Sequence, residues 1–472
     1  MSLQFITGGS GAGKSEYLSR LVCEESVRRP HDNFIVVVPE QYTMETQKKL
    51  VHMHSRKGIL NIDVVSFERL AYKVFEELGG GNRPVLDDTG KNLIVRRVLE
   101  KEKKKLDYFG SSIEKTGFVS ELKSVISELL QYGITPQQLG EIGENVKEKQ
   151  QLSAKLKDIR LVYKEFMAFL STNYITSEEI LDVLCGLVEK SKLIAGSEII
   201  FDGFTGFTPI QYKLMRLLLV YSKGIKISVT IDKKERPTGH EGWNNLFFMS
   251  KEMMNRLIAI CEEEGINVDD TVCVDRDINY RYEGAKDLAY LERNLFRYKG
   301  GVYTGTPENI RIYEGSNPKE ELQYIVSEIL QLTRKEGFRY RDIAVVTADL
   351  ETYGKVAANM MKQNDIPAFL DYKRSVASNP YVEMLCSALE IVEKGYPYDT
   401  MFRYLRTGLT GISRHDIDIL ENYCLAVGIR GSRAWHEPWK KKMKRSTYQP
   451  ELETLNALRE QIMAPFLNLE AV

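Results

Sequence analysis

Short apolar runs alternate with stretches whose apolar positions recur every three to four residues along the first ninety or so positions. Residues 3–7, Leu3-Gln4-Phe5-Ile6-Thr7, predict a strand, and residues 15–27 are amphipathic and predict a helix. Phe34-Ile35-Val36-Val37-Val38 is a continuous apolar run closed by Pro39, as expected for a strand buried on both faces of a parallel sheet. A helix is predicted over residues 43–52. Asp63-Val64-Val65 then leads into Ser66, which predicts a helix cap with Arg69 at the third position.

From residue 87 to 192 the pattern changes to helix after helix with no convincing strand. Leu122, Val125, Ile126, Leu129 and Leu130 lie at helical spacing, as do Leu156, Ile159, Leu161, Tyr163, Phe166 and Phe169. The α/β alternation then resumes. Glu198-Ile199-Ile200-Phe201-Asp202 predicts a strand ending in a carboxylate, followed by a helix over 209–220, a strand over 225–231 and a helix over 245–264. Gly300-Gly301 and Thr304-Gly305-Thr306-Pro307 read as a linker. Beyond it a second α/β unit is expected: strand 310–313, helix 319–336, strand 343–347, helix 350–363. From Asn379 onward the pattern is helical again. The fold class is therefore α/β, parallel sheets with all-helical insertions.

A chain of 472 residues exceeds one hydrophobic core and implies several domains. Its 65 Lys and Arg balance 66 Asp and Glu, so bulk charge gives no support for nucleic-acid binding, although a local basic channel is compatible with it. The cysteines, Cys23, Cys185, Cys261, Cys273, Cys386 and Cys424, are scattered without a C-x-x-C pair. They read as reduced thiols, neither a disulfide frame nor a metal cage. No apolar run approaches a membrane span, and a cytoplasmic location is expected, with no membrane partner.

The most specific chemistry lies in Gly8-Gly9-Ser10-Gly11-Ala12-Gly13-Lys14-Ser15. It fits G-x-x-x-x-G-K-[ST] and sits between a predicted strand and a predicted helix. Glycines let the backbone curl until its N–H groups converge on phosphate oxygens. Lys14 would reach the β- and γ-phosphates of ATP, and the Ser15 hydroxyl would ligate Mg²⁺. Such a loop needs a second carboxylate at a neighbouring strand tip to hold the ion through water, and Asp202 suits that role. Helicase-type motors follow this aspartate with a glutamate that activates water. Here Gly203 follows, and glycine cannot accept a proton. Glu40 and Asp232 are the local alternatives, neither at the usual position. The reading is a nucleotide that is held but turned over slowly or not at all. Only seven residues precede Gly8, so no earlier helix supplies groups to read a base.

Nucleic-acid candidates are Gln41, Tyr42 and Thr43 after the second strand, with Phe67 and Arg69 at the tip of the third. A helix cap with core aromatics is the competing reading. Trp435-His436-Glu437-Pro438-Trp439-Lys440-Lys441-Lys442-Met443-Lys444-Arg445 interleaves aromatics with cations, where a solvated charge run is the better reading.

The order of parts resembles superfamily 1 DNA helicases similar to UvrD. Within that group, five phrases resemble the B subunit of the bacterial AddAB helicase–nuclease. They are residues 8–15; Val38-Pro39-Glu40-Gln41-Tyr42-Thr43; Val65-Ser66-Phe67-Glu68-Arg69-Leu70-Ala71; Asp202-Gly203-Phe204-Thr205-Gly206-Phe207-Thr208-Pro209; and Ile366-Pro367-Ala368-Phe369-Leu370-Asp371-Tyr372-Lys373. The resemblance implies a P-loop, RecA-like helicase fold: domain 1A over residues 1–86 and 193–298, a helical insertion 1B over 87–192, an incomplete domain 2A over 299–375, and the start of insertion 2B over 376–472. It implies a heterodimer with an A subunit that carries the motor, DNA ends as substrate, and processing of double-strand breaks for recombinational repair. In the family, AddB holds one strand and scans it for the Chi sequence. The family's nuclease domain and its iron–sulfur cluster, held by four cysteines, have no counterpart in these residues, nor do its late helicase motifs with an arginine finger. The chain thus reads as an N-terminal portion. The strand over 225–231 is followed by Asp232-Lys233-Lys234-Glu235-Arg236 instead of a motor's γ-phosphate sensor. An active ATP-dependent helicase and, more remotely, a P-loop small-molecule kinase are the alternative functions.

Overall fold

The apolar runs at residues 3–7, 34–37, 63–65, 198–201 and 225–230 become strands of one parallel sheet. In this computed structural model, residues 1–79, 84–115, 117–145, 149–176, 179–235, 238, 242–297, 300–371, 376–443 and 450–470 are described. The strands among them are β1 (Ser2–Gly8), β2 (Asn33–Val37), β3 (Ile62–Val65), β4 (Val85–Leu86), β5 (Ile175–Thr176), β6 (Ser197–Phe201), β7 (Gly224–Thr230), β8 (Asn267–Val268) and β9 (Val272–Cys273). The large sheet runs β3-β2-β6-β7-β1-β8, with β9 also paired to β1. Its register places Gly8 opposite Thr230 and Val37 opposite Phe201.

Both faces of this sheet are covered, which is why its strands are apolar without strict alternation. The first three helices are α1 (Lys14–Arg28), α2 (Thr43–Met53) and α3 (Phe67–Leu78). Phe5, Ile35, Val37, Ile199, Phe201 and Ile227 share one core with Leu70 and Val74 of α3 and with Leu214, Leu218 and Leu257 of later helices. Ile6, Phe34, Val36 and Ile200 belong to the other, with Leu18 and Val22 of α1 and Leu50 of α2. Burial of each such side chain stabilises the fold by about 1.5–3 kcal/mol before entropy is counted. Ser66 caps α3 by accepting the Arg69 N–H, as its position predicts.

The helices Asp88–Glu102, Phe118–Gln131 and Gln150–Asn173 enclose their own core around Val95, Leu99, Ile126, Val162 and Phe166. Asp158, only 1 % exposed, accepts backbone N–H bonds from Asp107, Tyr108 and Phe109 at 3.0, 2.8 and 2.9 Å and pins the connecting loop. The expectation of no strand here is corrected at β5, which pairs with β4 in parallel through two residues each. Elements that short carry no periodicity to read.

The chain divides into two units, Met1–Arg311 and Ile312–Val472. In the second, the helices Pro318–Lys335 and Leu350–Gln363 pack through Leu322, Val326, Met360 and Met361. The strands expected over 310–313 and 343–347 are corrected: neither segment forms a strand, and Ile312 is 96 % and Val346 91 % exposed. A strand is defined by a ladder partner, and neither has one among the described residues. Further on, the helices Pro380–Lys394, Tyr398–Leu405, Arg414–Val427 and Leu452–Glu470 surround Tyr396, Tyr423 and Trp435. Among the described residues, no helix is long and apolar enough to cross a membrane.

Candidate functional site

The loop between β1 and α1 takes a shape only glycine permits. Gly11 and Gly13 have φ of 72° and 94°, in the left-handed region. Gly13 is the N-cap of α1 and provides no side-chain acceptor, so the first N–H groups of that helix lack the usual cap. Lys14 folds back over the loop, donating to the Gly8 and Gly9 carbonyls at 2.9 Å each. Burial pulls its ammonium below the ordinary lysine range; Asp202 and Asp275 oppose that shift and Arg281 adds to it. The Ser15 side chain lies at an exposed position.

Asp202 follows β6 and its N–H donates to the Val37 carbonyl at 3.1 Å. The Ser228 hydroxyl on β7 donates to Asp202 Oδ1 at 2.5 Å and accepts the Gly203 N–H at 3.3 Å. The turn thus holds Asp202 within the electrostatic reach of Lys14. Gly203 has φ 83°, so its lack of a carboxylate goes with a backbone that disfavours any L side chain.

The other carboxylates considered as bases are occupied. Glu40 pairs with Arg69 at 3.0 Å. Asp232 pairs with Arg297 at 3.0 Å, and Glu235 bridges Arg297 and Lys251 at 3.2 and 2.7 Å. Arg236, next in that stretch, lies outside the described residues.

Several residues at the loop escape a reading of the sequence because they lie far along the chain. Residues 275–292 cross over it. Asp275 Oδ1 accepts the Gly9 N–H at 3.1 Å, and Asn279 Nδ2 donates to the Ser10 carbonyl at 3.3 Å. The Arg281 N–H donates to the Gly11 carbonyl at 3.3 Å. A methyl group on Gly13 would lie 3.4 Å from the Tyr280 ring, and the Arg276 guanidinium sits 3.6 Å from the centroid of that ring. Arg281 is a cation beside the loop that no motif announces. The one local signal is a turn-rich stretch between β9 and the helix Lys286–Asn294. A cavity of about 530 Å³ adjoins, lined by Ser10, Thr205, Phe247, Tyr282, Leu291 and Phe296 among others.

The nucleic-acid candidates separate. Gln41, Tyr42 and Arg69 are exposed. Thr43 is buried and donates its hydroxyl to the Glu40 carbonyl at 3.0 Å. Phe67 is 8 % exposed and packs edge-on to Phe204 and Phe207 at 5.4 and 6.0 Å. Thr43 closes a turn and Phe67 packs in the core, which is the competing reading of both. Trp435 and Trp439 are buried against each other, leaving Lys440, Lys441 and Lys442 as a solvated run. Lys444 and Arg445 lie outside the described residues, as do Tyr372 and Lys373 of the fifth phrase.

The loop, with Lys14, Ser15 and Asp202, has the donor set that a magnesium-bound triphosphate requires. Among the described residues no group of three or more His, Cys, Asp or Glu could hold a metal ion.

Residues 5–292 match the family described as ADDB, N-terminal. The chain is similar to the B subunit of the ATP-dependent helicase/deoxyribonuclease of Lachnoclostridium phytofermentans, 42 % identical over 472 residues that cover 99 % of this chain and 41 % of that protein. It is similar to the corresponding protein of Caldanaerobacter subterraneus subsp. tengcongensis, 36 % identical over 476 residues, 98 % of this chain and 40 % of that protein. The counterpart in Clostridioides difficile is 35 % identical over 482 residues, 100 % of this chain and 41 % of that protein. The chain thus spans about two fifths of the length of these relatives. With its match running through the glycine-rich loop, the parallel sheet and the helical region, the chain belongs to the ADDB N-terminal family.

Proposed function

We propose that this chain is the helicase-like part of an AddB protein that works with an A-type helicase–nuclease partner at DNA double-strand breaks. Residues 8–15 bind ATP with Mg²⁺ as a structural or switching ligand. The reading rests on the related proteins' names, which make each of them the B subunit of an ATP-dependent helicase/deoxyribonuclease. The observation that carries the nucleotide part is the left-handed, uncapped loop with Lys14 in the field of Asp202.

Each residue then has a task. The loop N–H groups and the α1 N-terminus hold phosphate oxygens. Lys14 exchanges its loop carbonyls for phosphate, and Ser15 and Asp202 hold the ion that accompanies the nucleotide. Arg281 is placed to approach the phosphates from the other side of the loop. Turnover is slow because no second carboxylate follows Asp202 at the β6 tip, where Gly203 has a positive φ, and because Asp232 and Glu40 are paired. Gln41, Tyr42 and Arg69 contact single-stranded DNA at the C-terminal edge of the sheet, and in this reading the family's scanning of one strand for Chi runs along that edge. The site of action is the cytoplasm. Nuclease and iron–sulfur chemistry are not assigned to these residues.

Titration of the chain with Mg-ATP tests the reading: saturable binding is expected, abolished in Lys14→Ala. A second reading, an active motor, is favoured by Arg281 beside Gly11. It requires DNA-stimulated hydrolysis that falls at least tenfold in Arg281→Ala, the low end of what such an arginine supplies being far larger, about 10³.

A further inference from the structure

The phosphate loop already has two acceptors supplied by its own chain. Asp275, just beyond β9, takes the Gly9 N–H at Oδ1 (3.1 Å) and the Lys233 N–H at Oδ2 (3.0 Å). Glu292, on the helix Lys286–Asn294, brings Oε1 to the same place, beside Gly9 and within the electrostatic influence of the Ser10 N–H. A methyl group placed on Gly9 would meet Glu292 Oε1 at 3.1 Å, Asn279 Nδ2 at 3.2 Å and Asp275 Oδ1 at 3.3 Å. Three side chains therefore converge over one glycine. At Gly11 a methyl group would come within 2.6 Å of Arg281 Cβ. The segment is in van der Waals contact with the loop where phosphate oxygens would otherwise approach the backbone.

The two carboxylates carry the sign of charge that a triphosphate carries, and both lie in the field of Lys14. Burial and the Asp275 charge push the Glu292 carboxyl upward, so the two groups crowd each other as well. We propose that residues 275–292 form an autoinhibitory strap: Asp275 and Glu292 stand in for phosphate at the Gly9 and Ser10 N–H groups, and nucleotide binds fully only by displacing them. This rests on the nucleotide reading above and adds a gate to it. The strap's cationic members, Arg281 and Arg276, stay beside the loop while its anionic members leave.

The test measures the affinity of the 472-residue chain for Mg-ATP and for inorganic pyrophosphate in Asp275→Asn, Glu292→Gln, the double variant, and the double variant with Lys14→Ala. Removing one like charge at this range tightens binding by about tenfold. The double variant binds tighter still, and Lys14→Ala abolishes the gain. Equal or weaker binding by the double variant, with Lys14-dependent binding intact in the unsubstituted chain, overturns the strap and leaves the nucleotide reading standing. Weaker Mg-ATP binding in that variant with unchanged pyrophosphate binding shows that the carboxylates hold the ion, and also overturns it. Absence of Lys14-dependent binding in every form overturns both. Should Asp275→Asn unfold, Glu292→Gln carries the same expectation alone.

Discussion

Two kinds of apolar run in this chain look alike in sequence and end differently. The runs in β2 and β6 sit in a seven-stranded sheet with near-zero exposure at Ile35, Val37 and Phe201. Ile310–Tyr313 and Ile343–Thr347 carry the same signal, yet Ile312 and Val346 are almost wholly exposed. The difference teaches that an apolar run reports a capacity for strand formation, while burial requires neighbours that complete the ladder and cover both faces.

Substitutions break or sharpen that contrast. The largest effect is expected for Phe201→Ala, which removes a fully buried ring and should destabilise the first unit by about 4 kcal/mol, measured by chemical denaturation. A loss under about 1 kcal/mol would show that the sheet core is not what holds this unit together.

Next is Glu198→Gln, at the start of the same sheet. Glu198 accepts from Arg29 at 2.5 Å and also from Lys226, and is 7 % exposed. The variant should cost about 2 kcal/mol by leaving both cations short of a partner. Burial pushes this carboxyl up, but the bonds from Lys226 and Arg29 prevail and hold it below its ordinary value. Its contribution is therefore complete above an unfolded carboxylate pKa of about 4.3 and fades as pH falls through the lower folded value. The stability gap between the two proteins should close in that acid window and stay constant from neutral pH down to about 5. A gap that widens on acidification would reverse the sign.

At the sheet tip, Gly203→Glu adds a carboxylate next to Asp202, which the proposed function finds missing there. Its positive φ predicts a cost of about 1–2 kcal/mol and no gain in ATP turnover. A large rise in turnover would mean that the side chain alone was missing. The smallest effect belongs to the exposed runs: Ile312→Ser and Val346→Ser should change stability by less than about 0.5 kcal/mol. Substantial destabilisation there would indicate partners for those segments.

What was legible followed from contiguity. Residues 8–15 declare a loop because all of its requirements are consecutive, and Ser66 declares a cap three residues ahead of its donor. The strap was illegible because Asp275 reaches Gly9 across 266 residues and nothing in its own stretch marks the destination. Phe67 was ambiguous for a related reason. An aromatic at a strand tip reads equally as a stacking platform or as core, and only Phe201, Phe204 and Phe207 around it decide. β4 and β5 were missed because two residues cannot show a period.

The central claim is a loop that grips a nucleotide without burning it. Calorimetric titration of Mg-ATP into the chain, with turnover followed in the same samples with and without single-stranded oligonucleotide, tests it most directly. Lys14-dependent binding and a hydrolysis rate that DNA leaves unchanged are expected. Brisk hydrolysis stimulated by DNA in the isolated chain would contradict it.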